Sequence, residues 1–162
     1  MPLFKQCNSS WGNDHMGTDT ICQVGCLMSD VSMSLRGRGI GLGHFGLANP
    51  GSLNAWLRAN NGYDNNDLEE SAIPRIAPDH IKWNVTHGMH RANDIPFDDI
   101  KTMVQDIDNV VIANVMQGRH FVLVVGWEGT DSIVVNDPGF EKTTYSYSQD
   151  VVGWRLFTMI PE

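Results

Sequence analysis

A chain of 162 residues is the size of one domain with a full hydrophobic core. Hydrophobic residues make up 41% and charged residues 19%, which excludes a disordered segment. The formal net charge of −8 argues against a nucleic-acid partner, because holding a phosphate backbone takes clustered Lys and Arg, and Arg36-Gly37-Arg38 is the one local basic pair.

In chain order, residues 1–25 are rich in Gly, Asn, Asp and Ser and read as an irregular arm wrapping the core. Gly25-Cys26 then opens a helix over 26–35, with Leu27, Met28, Val31 and Leu35 at the inward spacing and Asp30 facing solvent. Residues 36–46 hold glycines at 37, 39, 41, 43 and 46 and read as a loop beside the site. They lack the strand and helix that a phosphate-binding glycine loop needs around it. Asn49-Pro50 starts a second helix, with Leu53, Trp56 and Leu57 on one face, which Asn60-Asn61-Gly62 ends. Residues 64–80 are polar, with a short helix ending before Pro74, and Ile81 to Val85 alternates as a short strand. Pro96 to Asp108 reads as a third helix, with Phe97, Ile100, Met103, Val104 and Ile107 at helical spacing. The continuous apolar run from Val110 to Met116 predicts a buried strand. Further strands are expected at 119–127, 132–136, 143–147 and 153–160. Helices first and antiparallel strands afterwards make an α+β domain spanning residues 1–162, with no repeat and no linker.

The candidate chemistry begins at Cys26. A helix N-terminus carries unpaired N–H groups and about half a positive charge, which favours a thiolate and lowers a cysteine pKa. Cysteines at 7, 22 and 26 are odd in number. A Cys7–Cys22 bridge with Cys26 free is the economical arrangement in an oxidising compartment, whereas a reducing one leaves three thiols. A zinc site on Cys22 and Cys26 with Cys7 or a histidine competes, but the spacing is loose and no second ligand pair follows. His87-Gly88-Met89-His90 likewise lacks a clear third ligand, so no metal or cofactor is expected. The methionines at 28, 33, 103 and 116 read as core filling.

A base and its orienting group come from the strands. Glu128-Gly129-Thr130-Asp131 is a hairpin turn; pairing Trp127 with Ser132 puts Asp137 opposite Val122. Alternation then places His120 and Asp137 on one face as diagonal neighbours, roughly 7–8 Å apart at Cβ. A one-residue bulge would present Asn136 instead, so both remain open, with Asp137 preferred. Acyl transfer through sulfur develops an oxyanion, and a side-chain amide beside the nucleophile's own N–H is a common way to hold it. Gln6, in the arm leading to Cys26, is preferred to Gln23 for that part.

Taken together, Gln6, Trp11-Gly12, Gly25-Cys26 with Ser29 and Met33, Gly118-Arg119-His120-Phe121-Val122 and Asn136-Asp137-Pro138 resemble the C39-like branch of the papain-fold cysteine peptidases. Pro50 to Leu57 is similar to a stretch that members carry between nucleophile and histidine, so the resemblance covers nearly the whole chain. It implies a papain-like fold with Cys26 as nucleophile, His120 and Asp137 on the sheet, and Gln6 in the oxyanion hole. The chain departs from the family pattern after the cysteine, with Leu27-Met28-Ser29 where members often have Gly-Pro-Ser/Thr.

The expected function is a thiol hydrolase acting on a peptide or amide substrate. A catalytically silent peptide-binding domain is the rival from another class, and a cell-wall amidase or acyltransferase would use the same residues. The acidic chain charge favours basic or neutral substrates. No apolar run approaches the ~20 residues of a membrane-spanning helix. The N-terminus lacks a basic region followed by an apolar one, which leaves a cytoplasmic protein or the mature form of a secreted one. The sequons at Asn8 and Asn84 are compatible with secretion. Oligomeric state is open.

Overall fold

A computed structural model describes residues 1–84 and 94–162 of the chain. Its α-helices are α1 (Ile21–Val24), α2 (Cys26–Gly37), α3 (Pro50–Ala59) and α4 (Phe97–Gln105). Its strands are β1 (Tyr63–Asp64), β2 (Asp67–Leu68), β3 (Ile81–Trp83), β4 (Asn109–Val115), β5 (His120–Glu128), β6 (Ser132–Asn136), β7 (Thr144–Ser146) and β8 (Gly153–Met159). β1 and β2 form a small separate hairpin, and the other six strands form one antiparallel sheet in the order β3-β8-β4-β5-β6-β7. This is an α+β fold. Among the described residues no helix is long and apolar enough to cross a membrane.

The apolar run of β4 follows from its place in the sheet, which is covered on both faces. Val110 and Ile112 join Leu123 and Phe157 in a core with Met28, Val31 and Leu35 of α2 and Leu53 and Leu57 of α3. Val111, Ala113 and Val115 point the other way, into a second core with Val122, Trp154 and Leu156 and with Ile100 of α4. The sheet is therefore a middle layer, and α2 lies across it against β5.

α2 is a central helix rather than a surface one. Every residue from Met28 to Leu35 is buried, including Ser29, Asp30, Ser32 and Ser34. Ser32 Oγ donates to Ser29 O at 2.7 Å and Ser34 Oγ to Asp30 O at 2.9 Å, so these hydroxyls are satisfied by their own helix. The solvent-facing position expected for Asp30 is thereby corrected. Periodicity assigns a polar residue to the outside, and α2 has no outside over these turns.

Several boundaries differ from expectation. The arm is not irregular throughout, since Thr20 and Gln23 form a reciprocal capping box that starts α1. The 36–46 loop is not beside the site: Ile40 and Leu42 pack into the first core, and none of its residues lines the cleft that Cys26 and His120 line. Pro74 does not follow a helix but lies inside a 3-10 stretch, Glu70–Ile76. The third helix ends at Gln105, because Asp106 turns extended. The strand from Ile81 ends at Trp83. Val85, the sequon's Thr86 and the His87/His90 pair lie outside the described residues.

Candidate functional site

Cys26 is the first residue of α2, and the segment before it explains the glycine. α1 runs directly into Gly25, whose N–H donates to Ile21 O at 2.8 Å. A Cβ at position 25 would lie 2.5 Å from that same carbonyl oxygen, so only glycine lets the two helices join this closely. Ser29 N then donates to Gly25 O at 2.9 Å, and α2 begins with Cys26 on its first turn. Cys26 is the free cysteine and is part-buried; Cys7 and Cys22 form a disulfide. The bridge removes both partner sulfurs from the alternative zinc site.

The base side is fixed by strand register. Leu123 pairs with Asn136, as the expected hairpin requires, but the route there is different. Glu128 pairs with Ser132, so the turn is one residue shorter than expected, and a bulge at Val125 restores the register. Continuing the ladder brings Asp137 to the His120 face: His120 Nε2 lies 2.6 Å from Asp137 Oδ1, with both side chains buried. Asn136 is directed elsewhere, its Nδ2 donating to Pro2 O at 3.2 Å.

Asp137 is held by more than the histidine. Its Oδ1 also accepts from the N–H groups of Gly139 and Phe140 at 2.9 and 3.0 Å, and its Oδ2 from Tyr145 Oη at 2.5 Å. Burial acts to raise this carboxyl, but the hydrogen bonds from His120, Tyr145, Gly139 and Phe140 outweigh it and hold the group below its ordinary range. An ionised Asp137 accepts the Nε2 proton, which leaves Nδ1 of a neutral His120 as the free basic nitrogen. The Phe140 ring sits edge-on to the imidazole, with centroids 5.1 Å apart. Gly139 packs flat on it: a Cβ there would lie 2.8 Å from His120 Cε1. Tyr145, Gly139 and Phe140 contact the His120–Asp137 pair, and sequence reasoning missed all three. Tyr145 was legible only as a strand residue, since its face depends on the β6–β7 register, which pairs Ile133 with Tyr145.

Gln6 ties the two sides together. Its N–H donates to Pro138 O at 2.9 Å, beside Asp137, while its Nε2 donates to Cys22 O at 2.9 Å. A second, longer contact from Nε2 reaches Ile21 O at 3.5 Å. The adjacent Lys5 reinforces the clamp, Nζ donating to the carbonyls of Asp137 and Phe140 at 2.9 and 2.7 Å. Gln23, the other amide considered, receives the Thr20 N–H in the α1 capping box.

The nucleophile side carries an unexpected electrostatic load. Burial, then the nearby Asp30 carboxyl, pushes the Cys26 thiol up to about 11, against opposing backbone hydrogen bonds at Phe121, Leu27 and Cys26 itself. A helix start alone favours the thiolate, but desolvation outweighs it here. Asp30, one turn further along α2, is fully buried, and neither carboxyl oxygen has a hydrogen-bond partner among the described residues. Burial and then the Asp137 charge raise it well above the ordinary carboxylate range.

These residues surround one cleft of about 490 Å³. Gln6, Cys26 and His120 line it, with Val24, Phe121 and Phe140 among the apolar walls and Asp137 buried behind the histidine. Met116 lines it too, so that methionine is not core filling as expected. Among the described residues no cluster of His, Cys, Asp and Glu has the arrangement of a metal site. A thiol, an imidazole with a fixed tautomer and an amide donor at one cleft are the parts of nucleophilic acyl transfer. No family model, no curated protein and no solved structure matches this chain.

Proposed function

We propose that this protein is a cysteine-dependent hydrolase of peptide or amide bonds, built on a papain-like plan of the C39-like kind. The observation that carries the reading is the buried 2.6 Å contact between His120 Nε2 and Asp137 Oδ1 at the cleft that Cys26 lines. A histidine held this way presents Nδ1 as a base of fixed orientation, which a merely structural strand-edge histidine does not need. The chain-wide order of Gln6, Gly25-Cys26, His120 and Asn136-Asp137-Pro138 supports the same reading.

The chemistry follows from the protonation states. With Cys26 raised to about 11, the resting nucleophile is a thiol, whose proton must leave during the attack. His120 Nδ1 takes the sulfur's proton as sulfur bonds to the substrate carbonyl carbon, and Asp137 stabilises the imidazolium that forms. The carbonyl oxygen becomes an oxyanion. The Cys26 N–H and the Gln6 N–H that makes the weaker contact to Ile21 O are its donors. Imidazolium returns the proton to the leaving amine, leaving an acyl-thioester. Water, deprotonated by the same Nδ1, then cleaves it and restores the thiol.

A second reading has one observation in its favour. A thiol pushed up to about 11 is a poor nucleophile at neutral pH, as befits a silent peptide-binding domain that keeps the cleft. Cell-wall amidase or acyltransferase chemistry would run through the same groups. The deciding experiment profiles a mixed peptide library and peptidoglycan with wild type and Cys26→Ala. Cleavage by wild type should fall at least ~10³-fold in the variant, with an unchanged circular dichroism spectrum. Retained cleavage in Cys26→Ala ends the hydrolase reading, and binding without cleavage by wild type selects the silent one.

A further inference from the structure

The connection between β4 and β5 forms part of the cleft, and its backbone is strained at a residue the turn does not require to be strained. The Arg119 N–H donates to Met116 O at 3.2 Å, and the two residues between, Gln117 and Gly118, have φ of 59° and 90°. Positive φ at both central positions is how tight hairpin turns match strand twist. Met116, at the corner, has φ 53° as well. A left-handed methionine has neither the freedom of glycine nor the short polar side chain of Asn or Asp, and such outliers persist where the surroundings impose them.

What this conformation accompanies is a Met116 side chain on the cleft wall, 37% exposed. Phe140, 46% exposed, gives the cleft a second open apolar surface beside His120. Arg119 lines the same cleft, its Nε 3.3 Å from Met116 O, so the guanidinium lies directly beside the methionine. The lining contains no carboxylate, and among the described residues no Asp or Glu forms an ion pair with Arg119. Arg119 Nη2 makes a longer contact to Gln117 Oε1 at 3.5 Å, whereas Arg38 gives its donors to the carbonyls of Ser34, Ile107 and Asn109 at 2.7–3.0 Å. In a chain of net charge −8, the cleft wall sets Arg119 and the apolar Met116 and Phe140 beside Gln6, Cys26 and His120, with no carboxylate among them.

We propose that the cleft selects peptides presenting an apolar side chain next to a carboxylate, with Met116 and Phe140 holding the first and Arg119 the second. The proposal rests on the hydrolase reading for the site it serves, and it reverses the preference for basic or neutral substrates that overall charge suggests. An acidic side chain and a free chain terminus offer the same carboxylate chemistry.

The test measures binding of labelled peptides to the Cys26→Ala protein by fluorescence anisotropy, and their hydrolysis by wild type. One set contains Leu-Glu, Leu-Gln and Ser-Glu at its centre, and a second ends in Leu as a free acid or an amide. A carboxylate meeting a guanidinium forms charge-assisted hydrogen bonds, so about tenfold tighter binding is expected for the acid over its neutral counterpart. Preference within the first set identifies an acidic side chain, and within the second a chain terminus. Introducing Arg119→Gln should bring acid and neutral peptides together. Met116→Gly should weaken Leu peptides about tenfold relative to Ser peptides. Gln117→Gly relieves backbone strain in the same turn but also removes the amide oxygen that accepts from Arg119 Nη2 at 3.5 Å, so it serves as the control for Met116 alone and should leave the Leu-over-Ser preference unchanged. Equal binding of all peptides, binding of none, or identical behaviour of the Met116 and Gln117 variants overturns the proposal. Selective binding with no hydrolysis would sink the hydrolase reading alone, and hydrolysis without selectivity would sink this one alone.

Discussion

The sheet side and the helix side of the site treat a buried carboxyl in opposite ways. Asp137, on the sheet side, accepts four hydrogen bonds and is held ionised. Asp30, on α2, accepts none among the described residues and is pushed well above the ordinary carboxylate range. The two groups sense one another, since the Asp137 charge is the second cause that raises Asp30. The difference teaches that His120 is organised in advance for the role of base proposed for it, whereas Cys26 is not organised for that of nucleophile. His120 has a fixed tautomer before any substrate arrives. Cys26 sits in surroundings that resist negative charge, so its proton must leave as the new bond forms.

The strongest way to break this comparison is to remove the organised base. His120→Ala should lower hydrolysis by roughly 10³- to 10⁴-fold, measured by initial rates, with the circular dichroism spectrum kept and the melting temperature lowered, because the buried Asp137 loses its histidine partner. A loss below tenfold would mean that the imidazole is not the base.

Next in size is the carboxylate that holds it. Asp137→Ala strands the Gly139 and Phe140 N–H groups and the Tyr145 hydroxyl, and should cost about 3 kcal/mol in denaturant unfolding at pH 7. Because its folded pKa is depressed, the contribution of Asp137 is present above the ordinary carboxylate value of about 3.9 and is lost as pH falls through the lower folded value. The gap between wild type and Asp137→Asn should therefore close only in that acid range.

Asp30 should give the reverse sign. The folded state keeps its proton while the unfolded chain loses it near pH 3.9, so this residue's effect on stability worsens as pH rises from there toward the raised folded value. Asp30→Asn should be more stable than wild type at pH 7, with no advantage near pH 3. It should also move the iodoacetamide-alkylation midpoint of Cys26 below about 11, because Asp30 is one of the two causes raising it. An unchanged midpoint would show that burial alone sets the thiol. The smallest effect belongs to Tyr145→Phe, which removes one donor from an otherwise well-held Asp137 and should cost about 1 kcal/mol in the same unfolding experiment.

How much of this was legible in the sequence depended on whether the signal was local. The start of α2 at Cys26, the buried β4 run and the β5–β6 hairpin follow from local pattern, and all three are present. The face shared by His120 and Asp137 was reached through a register that is wrong at the turn and right at the far end, because the bulge at Val125 offsets the shorter turn. Asp30 was misread because helical periodicity assumes one wet face, and α2 is covered over those turns. Met116 belongs to the apolar run of β4 by composition, yet its left-handed backbone takes it out of the strand. Tyr145, Lys5 and Gly139 act through partners far away in sequence or through packing on an imidazole, and no spacing rule reveals those.

The Cys7–Cys22 bridge joins the arm bearing Gln6 to the segment whose Cys22 carbonyl receives the Gln6 amide. Its cysteines are 15 residues apart, and closing a loop of that length is worth about 3 kcal/mol of chain entropy. Thiol enzymes are customarily assayed with dithiothreitol or a similar reagent to keep the nucleophile reduced. In this protein the same reagent attacks the link beside Gln6, the residue proposed as oxyanion donor. On the proposed mechanism, turnover plotted against reductant concentration should therefore rise as Cys26 is protected and fall again as the arm is released, giving a maximum rather than a plateau.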